Sequence, residues 1–237
     1  EAIGYLTHGV HVVAALMKTG KSQKALNSAL NCAKMGTPCI LCDTELNREQ
    51  GVFDRAISRI TQIDVNEIRF GEYKQDDKKV KLVARAVAML KKMPLDYVNI
   101  TGKTWEELLS IIRRWAITKV GYNEKGKLKP ALVVYDYIKM TDSTSLKVNL
   151  AEYQQLGFLL SALHDLSVNL NFPILAYAQL NREQDIASSM RIQWFCTSYT
   201  TMTRKTPEEI VEDGINQGSL KIKPMYCRFG PGLEGNS

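Results

Sequence analysis

The sequence predicts one α/β domain in which a mostly parallel central sheet is flanked by helices. Three observations predict it. Short apolar runs recur at Val10 to Ala14, Cys39 to Cys42, Ala131 to Tyr135 and Pro173 to Ala178, without the polar alternation of a half-wet strand. The segments between them carry helical periodicity and capping signals, so strands and helices alternate along the chain. The 237 residues, 45% hydrophobic and 24% charged, suffice for one domain with a substantial core.

The first strand candidate, Val10 to Ala14, is bounded by Gly9 and runs into Ala15-Leu16-Met17-Lys18-Thr19-Gly20-Lys21-Ser22. That octet matches the end of the phosphate-binding pattern G-x-x-x-x-G-K-[ST], with Ala15 in place of the first glycine. Ala25, Leu26, Ala29, Leu30 and Ala33 then recur at helical spacing until Gly36-Thr37-Pro38 stops the segment. Strand, loop and helix are the context the motif requires. In such a loop the backbone amides and the helix start cradle phosphates, the lysine reaches the β- and γ-phosphates, and the hydroxyl holds Mg²⁺. Lys21 and Ser22 suit those two tasks, with Lys18, Thr19, Gly20 and Gln23 framing the nucleotide. The plainer alternative is a Gly-Lys-Ser turn that only starts a helix.

Cys39-Ile40-Leu41-Cys42 reads as a second buried strand and ends in Asp43-Thr44-Glu45, where open α/β sheets bind ligands. Its C-x-x-C spacing suits redox chemistry or half a zinc site, but no second C-x-x-C exists and His8, His11 and His164 are scattered, so buried inert thiols are expected. Asn47 to Ile60 reads helical, and Asp64-Val65-Asn66-Glu67 resembles a helix start. Lys78 to Met93 is an amphipathic helix with a basic face, expected to be solvated. Thr104-Trp105-Glu106-Glu107 is a capping box for a helix reaching about Ile117. A polar loop around Gly121 to Gly126 follows.

Ala131-Leu132-Val133-Val134-Tyr135-Asp136 is nearly all apolar and delivers a carboxylate to the end of a central strand. Combined with the loop upstream, Asp136 marks a Mg²⁺-nucleotide site rather than a mere turn. Lys139 to Leu150 is expected to be a loop. Leu156, Leu159, Leu160, Leu163 and Leu166 mark one face of a long helix, and the Pro173 to Ala178 strand ends in Gln179-Leu180-Asn181-Arg182. A second loop covers roughly 183 to 193. Thr206-Pro207-Glu208-Glu209 is another capping box, with proline at the first helical position. Gly218 to Lys223 predicts a late strand before Tyr226-Cys227-Arg228-Phe229-Gly230-Pro231-Gly232.

Charge and hydropathy bound the class. Lys+Arg 31 against Asp+Glu 25 gives +6, which fits an anionic partner without demanding one. No apolar run has the length of a membrane span and no signal-peptide pattern opens the chain, so a cytoplasmic protein with no membrane association is expected. The chain begins at Glu1 rather than Met, as a fragment would.

Four segments, in order, resemble the RecA-like motor domain of DnaB-type replicative helicases of bacteria and their phages. They are the ALMKTGKS loop, CDTEL, VVYDYIKM and ILAYAQLNREQ, and the tail YCRFGPG resembles the family's closing arginine motif. The resemblance spans roughly Gly9 to Gly232 and implies one RecA-like P-loop NTPase domain over 1–237, lacking the family's amino-terminal collar domain and linker helix. It implies ATP and Mg²⁺ as cofactors, single-stranded DNA as partner, a homo-hexamer for the full-length protein, and contacts with a primase and a helicase loader.

By the same resemblance, Lys21 and Ser22 bind phosphate and Mg²⁺ and Asp136 helps hold the metal. Glu45, rather than Asp43, is the general base, and Gln179 senses the γ-phosphate. Arg228 is the arginine finger acting on a neighbouring subunit's nucleotide. The family commonly has a lysine two residues before that arginine; Tyr226 stands there, and Lys223 is the nearest substitute. The loops over Lys139 to Asn149 and Glu183 to Arg191 would face single-stranded DNA, with Lys139, Lys147 and Arg191 available to its phosphates. The expected activity is an ATP-driven helicase motor, 5′ to 3′ by family. The alternatives are a nucleotide-gated DNA-binding or assembly module, and a recombinase-type or circadian-type RecA-like ATPase.

Overall fold

A computed structural model describes residues 6–45, 48–138, 152–179 and 194–229. Seven strands form one sheet in the order β3-β2-β4-β5-β1-β6-β7. Their ranges are β1 Gly9–Ala15, β2 Cys39–Asp43, β3 Leu95–Asn99, β4 Leu132–Ile138, β5 Pro173–Gln179, β6 Ser198–Arg204 and β7 Leu220–Cys227. The first six run parallel, and only β7 is antiparallel, against β6. Among the described residues the α-helices are α1 Lys21–Lys34, α2 Asp54–Thr61, α3 Val65–Phe70, α4 Asp77–Lys92, α5 Trp105–Trp115, α6 Glu152–Leu170 and α7 Pro207–Asp213. Among the described residues no helix is long and apolar enough to cross a membrane.

The continuous apolar runs are explained by burial on both faces of the sheet. Successive strand residues alternate between two core layers. Leu41, Val134 and Tyr177 pack beneath Leu26 and Leu30 of α1, Ile57 of α2 and Val83 of α4. Val12, Val133 and Ile174 meet Ile112 and Trp115 of α5 and Leu160, Leu163 and Leu166 of α6 on the other side. The side chains predicted for the inner face of α1, Ala25, Leu26, Ala29, Leu30 and Ala33, are all buried. Trp115 stacks edge-on against Phe172 with ring centroids 6.2 Å apart, and its indole N–H donates to Asp96 Oδ2 at 2.8 Å.

The alternation also settles the C-x-x-C. Residues three apart in a strand point to opposite faces, and Cys39 lies in the α1 layer while Cys42 lies in the α5 and α6 layer. The two thiols cannot share a metal ion or a disulfide. Both are fully buried, and burial pushes the Cys42 thiol up to about 12, so inertness follows from position.

Both capping boxes form as expected, at Thr104 with Glu107 and at Thr206 with Glu209. Other boundaries differ from expectation. The helix expected over 47 to 60 is one π-helical turn, Arg48–Phe53, followed by α2. The helix expected to reach Ile117 leaves α-geometry at Trp115 and continues as a π-turn over Ala116–Val120. The late strand starts two residues later than expected and runs on to Cys227, pairing with the whole length of β6. Neither β3 nor β6 was anticipated. β3 is an edge strand whose residues are half-buried or exposed, and β6 is rich in threonine, so neither has the apolar density of the inner strands. The expected loops over 139–150 and 183–193 both lie outside the described residues.

Gly9 opens β1 with φ at +121°, and a Cβ there would sit 1.8 Å from the Thr197 hydroxyl. Its N–H donates to the buried Ser167 hydroxyl of α6 at 2.5 Å, and that hydroxyl donates in turn to the Phe172 carbonyl. Gly9→Ala therefore combines a disfavoured dihedral with a steric clash, and a loss of at least about 2 kcal/mol is expected. Urea denaturation of the two proteins would measure it; a difference within about 0.5 kcal/mol would show that this junction is not under such constraint.

Candidate functional site

All six parallel strands point their carboxyl ends the same way, and four of those ends hold the candidate site. The β1 end leads into the loop Leu16 to Gly20, β2 ends at Asp43, β4 carries Asp136 and β5 ends at Gln179. Asp43 and Asp136 are opposite one another in the β2–β4 pairing, and Ala15 is opposite Gln179 in the β1–β5 pairing. The strand β5 thus lies between the loop strand and the Asp136 strand, and brings Gln179 to the loop's border.

The loop closes on itself before α1 begins. The Thr19 N–H and hydroxyl both donate to the Leu16 carbonyl. Lys18 has φ +60° and Gly20 φ +92°, a local left-handed path that Gly20 tolerates without strain. Space beside Gly20 is open, with no heavy atom within 4 Å of where a Cβ would stand. Lys21 is the first residue of α1 and Ser22 the second, so both side chains leave the helix at the end where amide N–H groups are free. Gln23 lies in the same turn and donates to Asn27 Oδ1 at 3.1 Å.

Asp136 is the electrostatic centre of this edge. Its side chain is 3% exposed, and the carboxyl is pushed up to about 6, chiefly by burial. The Ser22 hydroxyl bonds the carboxyl and works in the opposite sense, Asp43 and Glu45 add to the rise, and Lys21 counters it. Its Oδ1 is buried without a hydrogen-bond partner. An uncompensated buried carboxylate oxygen is costly, and a hard divalent cation with Ser22 and phosphate oxygens as co-ligands satisfies it. The residues present therefore fit Mg²⁺. Lys21 is also buried, which lowers its pKa, while Asp136 and Glu45 draw it back up.

Glu45 is held from several sides. Its N–H donates to Asp43 Oδ1 at 2.7 Å, the Thr44 N–H donates to the Asp136 carbonyl at 2.9 Å, and the Thr101 hydroxyl donates to the Thr44 carbonyl at 2.7 Å. Tyr137 touches both charged groups. Its ring centroid lies 5.5 Å from Lys21 Nζ, and its hydroxyl bonds the Glu45 carboxylate. Burial, then Glu45, raises the Tyr137 pKa, so the phenol stays protonated and serves as a donor.

Arg228 is not part of this cluster. It follows Cys227, which pairs with Ser198 at the start of β6, so it stands at the amino edge of the sheet. With about 3.3 Å per strand residue, the length of β6 separates it from the loop by roughly 20 Å, beyond the reach of an arginine side chain. Its Nη2 donates to the Trp194 carbonyl at 2.8 Å and its Nε to the Tyr226 hydroxyl at 3.5 Å. Tyr226, at the position expected to be lysine, thus braces Arg228, while Lys223 is exposed on β7. Lys139, Lys147 and Arg191 lie outside the described residues.

Two contributors escaped the sequence reading. Tyr137 was given no role, although it directly follows the carboxylate at which the strand was expected to end. Arg204 ends the unanticipated β6 and donates from Nη2 to the Lys18 carbonyl at 3.1 Å, bracing the loop from the side opposite β5. The β-branched run Thr200-Thr201-Met202-Thr203 was the available signal.

A parallel sheet with the P-loop on β1, one strand inserted before the acidic strand, and helices on both faces defines the RecA-like ATPase fold. The chain belongs to the DnaB-like helicase C terminal domain family, which matches residues 2–191. It is 26% identical over 189 residues to the replicative DNA helicase DnaB of Nostoc sp. (strain PCC 7120 / SAG 25.82 / UTEX 2576), covering 79% of this chain and 20% of that protein. It is 24% identical over 181 residues to the DnaB of Synechocystis sp. (strain ATCC 27184 / PCC 6803 / Kazusa), covering 76% and 19%. The chain therefore spans about a fifth of the length of these curated relatives. Among solved structures, an isolated ATPase domain superposes with a TM-score of 0.79 at 16% identity, covering 96% of this chain and 80% of that one. A DnaB-like replicative helicase, described with its interactions with primase, gives 0.76 at 16% identity, covering 96% and 54%.

The raised Asp136 carboxyl has a pH signature in the ligand-free protein. The unfolded chain loses this proton near pH 4 and the folded protein near pH 6, so stability falls as pH rises through that window and stays lower above it. Asp136→Asn removes the charge without changing the size, and at pH 7 it is expected to be more stable than the parent by roughly 2 kcal/mol. The gap should close below about pH 4. Chemical denaturation across this acid-to-neutral range would test it, and an asparagine variant less stable at neutral pH would contradict it.

Proposed function

We propose that this domain is the ATP-driven motor of a replicative DNA helicase, hydrolysing Mg-ATP and coupling that hydrolysis to movement along single-stranded DNA. The observation that carries the reading is the convergence of Lys21, Ser22 and the buried Asp136, with its unpartnered Oδ1, at one sheet edge beside the open space at Gly20. Bound Mg²⁺ would neutralise phosphate charge and orient the terminal phosphate for in-line attack. Lys21 supplies the adjacent cation, and the Leu16 to Gly20 backbone the cradle.

Glu45 is the better general base of the two carboxylates at the β2 end. Asp43 is 1% exposed and spends one oxygen holding the Glu45 N–H, whereas Glu45 is exposed and its carboxylate is oriented by Tyr137. Gln179, on the strand between Asp136 and the loop, is placed to report the γ-phosphate to the segment that follows it. Arg228, at the opposite edge from its own loop, is available only to a nucleotide on another subunit, which favours a finger supplied in trans within a homo-hexamer. The same reading assigns Lys139, Lys147 and Arg191 to DNA phosphates, and direction 5′ to 3′, a collar domain, and primase and loader contacts in the cytoplasm to the full-length protein.

The deciding experiment is ATP turnover by the longest obtainable form, with and without single-stranded DNA. Turnover should rise with DNA and vanish in Lys21→Ala; an assembled oligomer with no more turnover than Lys21→Ala would refute the motor and leave the nucleotide-gated binding module.

The residue assignments separate by variant. Glu45→Gln should keep nucleotide affinity and lose about 10² to 10⁴ in kcat, and retained turnover would remove Glu45 as the base. Arg228→Ala should lose about 10³ to 10⁵ in kcat in the assembled oligomer. Mixed with Lys21→Ala, which keeps its own arginine, it should regain activity at mixed interfaces. Failure of that complementation would argue against action in trans.

A further inference from the structure

A second polar cleft, about 690 Å³ in volume, opens between α1, α2 and α3. Three short stretches of chain line it. Gln23 comes from α1; Arg55, Ser58, Arg59 and Gln62 come from α2 and its end; Asp64, Asn66 and Arg69 come from α3 and its cap. Three arginines and one aspartate thus line it, and none of these four belongs to the site built around Asp136.

The three arginines outnumber the neighbouring carboxylates, Asp64 and Asp54. The Asp64 Oδ1 is engaged as the cap of α3, accepting from the Asn66 N–H at 2.8 Å. Asp54 pairs with Arg69 at 3.5 Å, a loose and half-exposed contact. Among the described residues Arg55 and Arg59 enter no ion pair, and four residues apart on α2 they are neighbours on one helical face. Like charges held side by side repel in the absence of a counter-charge. A planar fork of donors is the arrangement that phosphate oxygens fit in bidentate fashion, and the volume lies in the range of small-ligand sites.

We infer that this cleft binds a small oligophosphate anion, such as pyrophosphate or the phosphate chain of a free nucleotide, through Arg55, Arg59 and Arg69. Gln23 connects it to the catalytic edge, since it is the residue after Ser22 in the first turn of α1. An anion drawn into the cleft therefore bears on the helix that presents Lys21 and Ser22. The inference does not rest on the motor reading: it requires only the three arginines and the cleft.

Calorimetric titration of pyrophosphate into the Lys21→Ala protein, in which the phosphate loop is disabled, tests it. One bound equivalent is expected, with affinity falling at least tenfold in the added double variant Arg55→Gln, Arg59→Gln. Arg59→Lys, which keeps the charge and loses the fork, should fall in between. Circular dichroism of each variant checks the fold, and Arg69→Gln provides an independent removal from α3. No binding in Lys21→Ala, or unchanged affinity in the double variant and in Arg69→Gln, would overturn the proposal. So would displacement of pyrophosphate by an oligothymidylate at a lower concentration than pyrophosphate itself, which would reassign the cleft to a strand backbone. Failure of the motor reading would appear separately, as ATP affinity indifferent to Lys21→Ala.

Discussion

A carboxylate buried at the end of a central parallel strand is the constraint on which this domain is organised. Asp136 is nearly inaccessible to water, and burial drives its carboxyl toward the protonated form while Ser22 and Lys21 hold it back. In water such a group is cheap; here each contact around it is strong because the surroundings are dry. That dryness comes from the fold. The strand β4 has β2 on one side and β5 on the other, with α1 packed over one face and α5 and α6 over the other. On the proposed reading, Mg²⁺ at the unpartnered Oδ1 would relieve an unfavourable interaction of the ligand-free state.

The groups around Asp136 are held through their backbone, which is tied to other backbone and to neighbouring side chains. Thr44 hangs from the Asp136 carbonyl, Thr101 clamps Thr44, and Asp43 fixes the Glu45 N–H. Arg204 braces the loop on its far side through the Lys18 carbonyl. Separate strand ends therefore set the relative positions of the lysine, the hydroxyl and the carboxylates, which is the preorganisation that electrostatic catalysis requires. Tyr137 reaches both signs of charge, lying against Lys21 and bonding Glu45.

The two edges of the sheet divide the labour. The loop, Asp136 and Glu45 stand at the carboxyl edge, and Arg228 stands at the amino edge, tied to Trp194 and Tyr226. The antiparallel course of β7 is responsible, since it returns the chain to the end from which β6 started. On the proposed reading, an arginine so placed would serve a neighbouring subunit's nucleotide, which would make activity a property of the assembly.

Much of this was legible in the sequence where local patterns sufficed. The loop Ala15 to Ser22, the inner face of α1, the strand that carries Asp136 and both capping boxes depend on residue type at fixed short spacing, and short-range physics determines them. The edge strand β3 and the threonine-rich β6 were not legible, because neither has the apolar run that marks a strand buried on both faces. What only the tertiary structure decided was proximity: that Gln179 borders the loop, that Arg204 braces it, that Tyr137 joins Lys21 to Glu45, and that Arg55, Arg59 and Arg69 share a cleft. The order of strands in a sheet is set by how whole layers bury their faces, and no spacing along the chain encodes which ends then become neighbours.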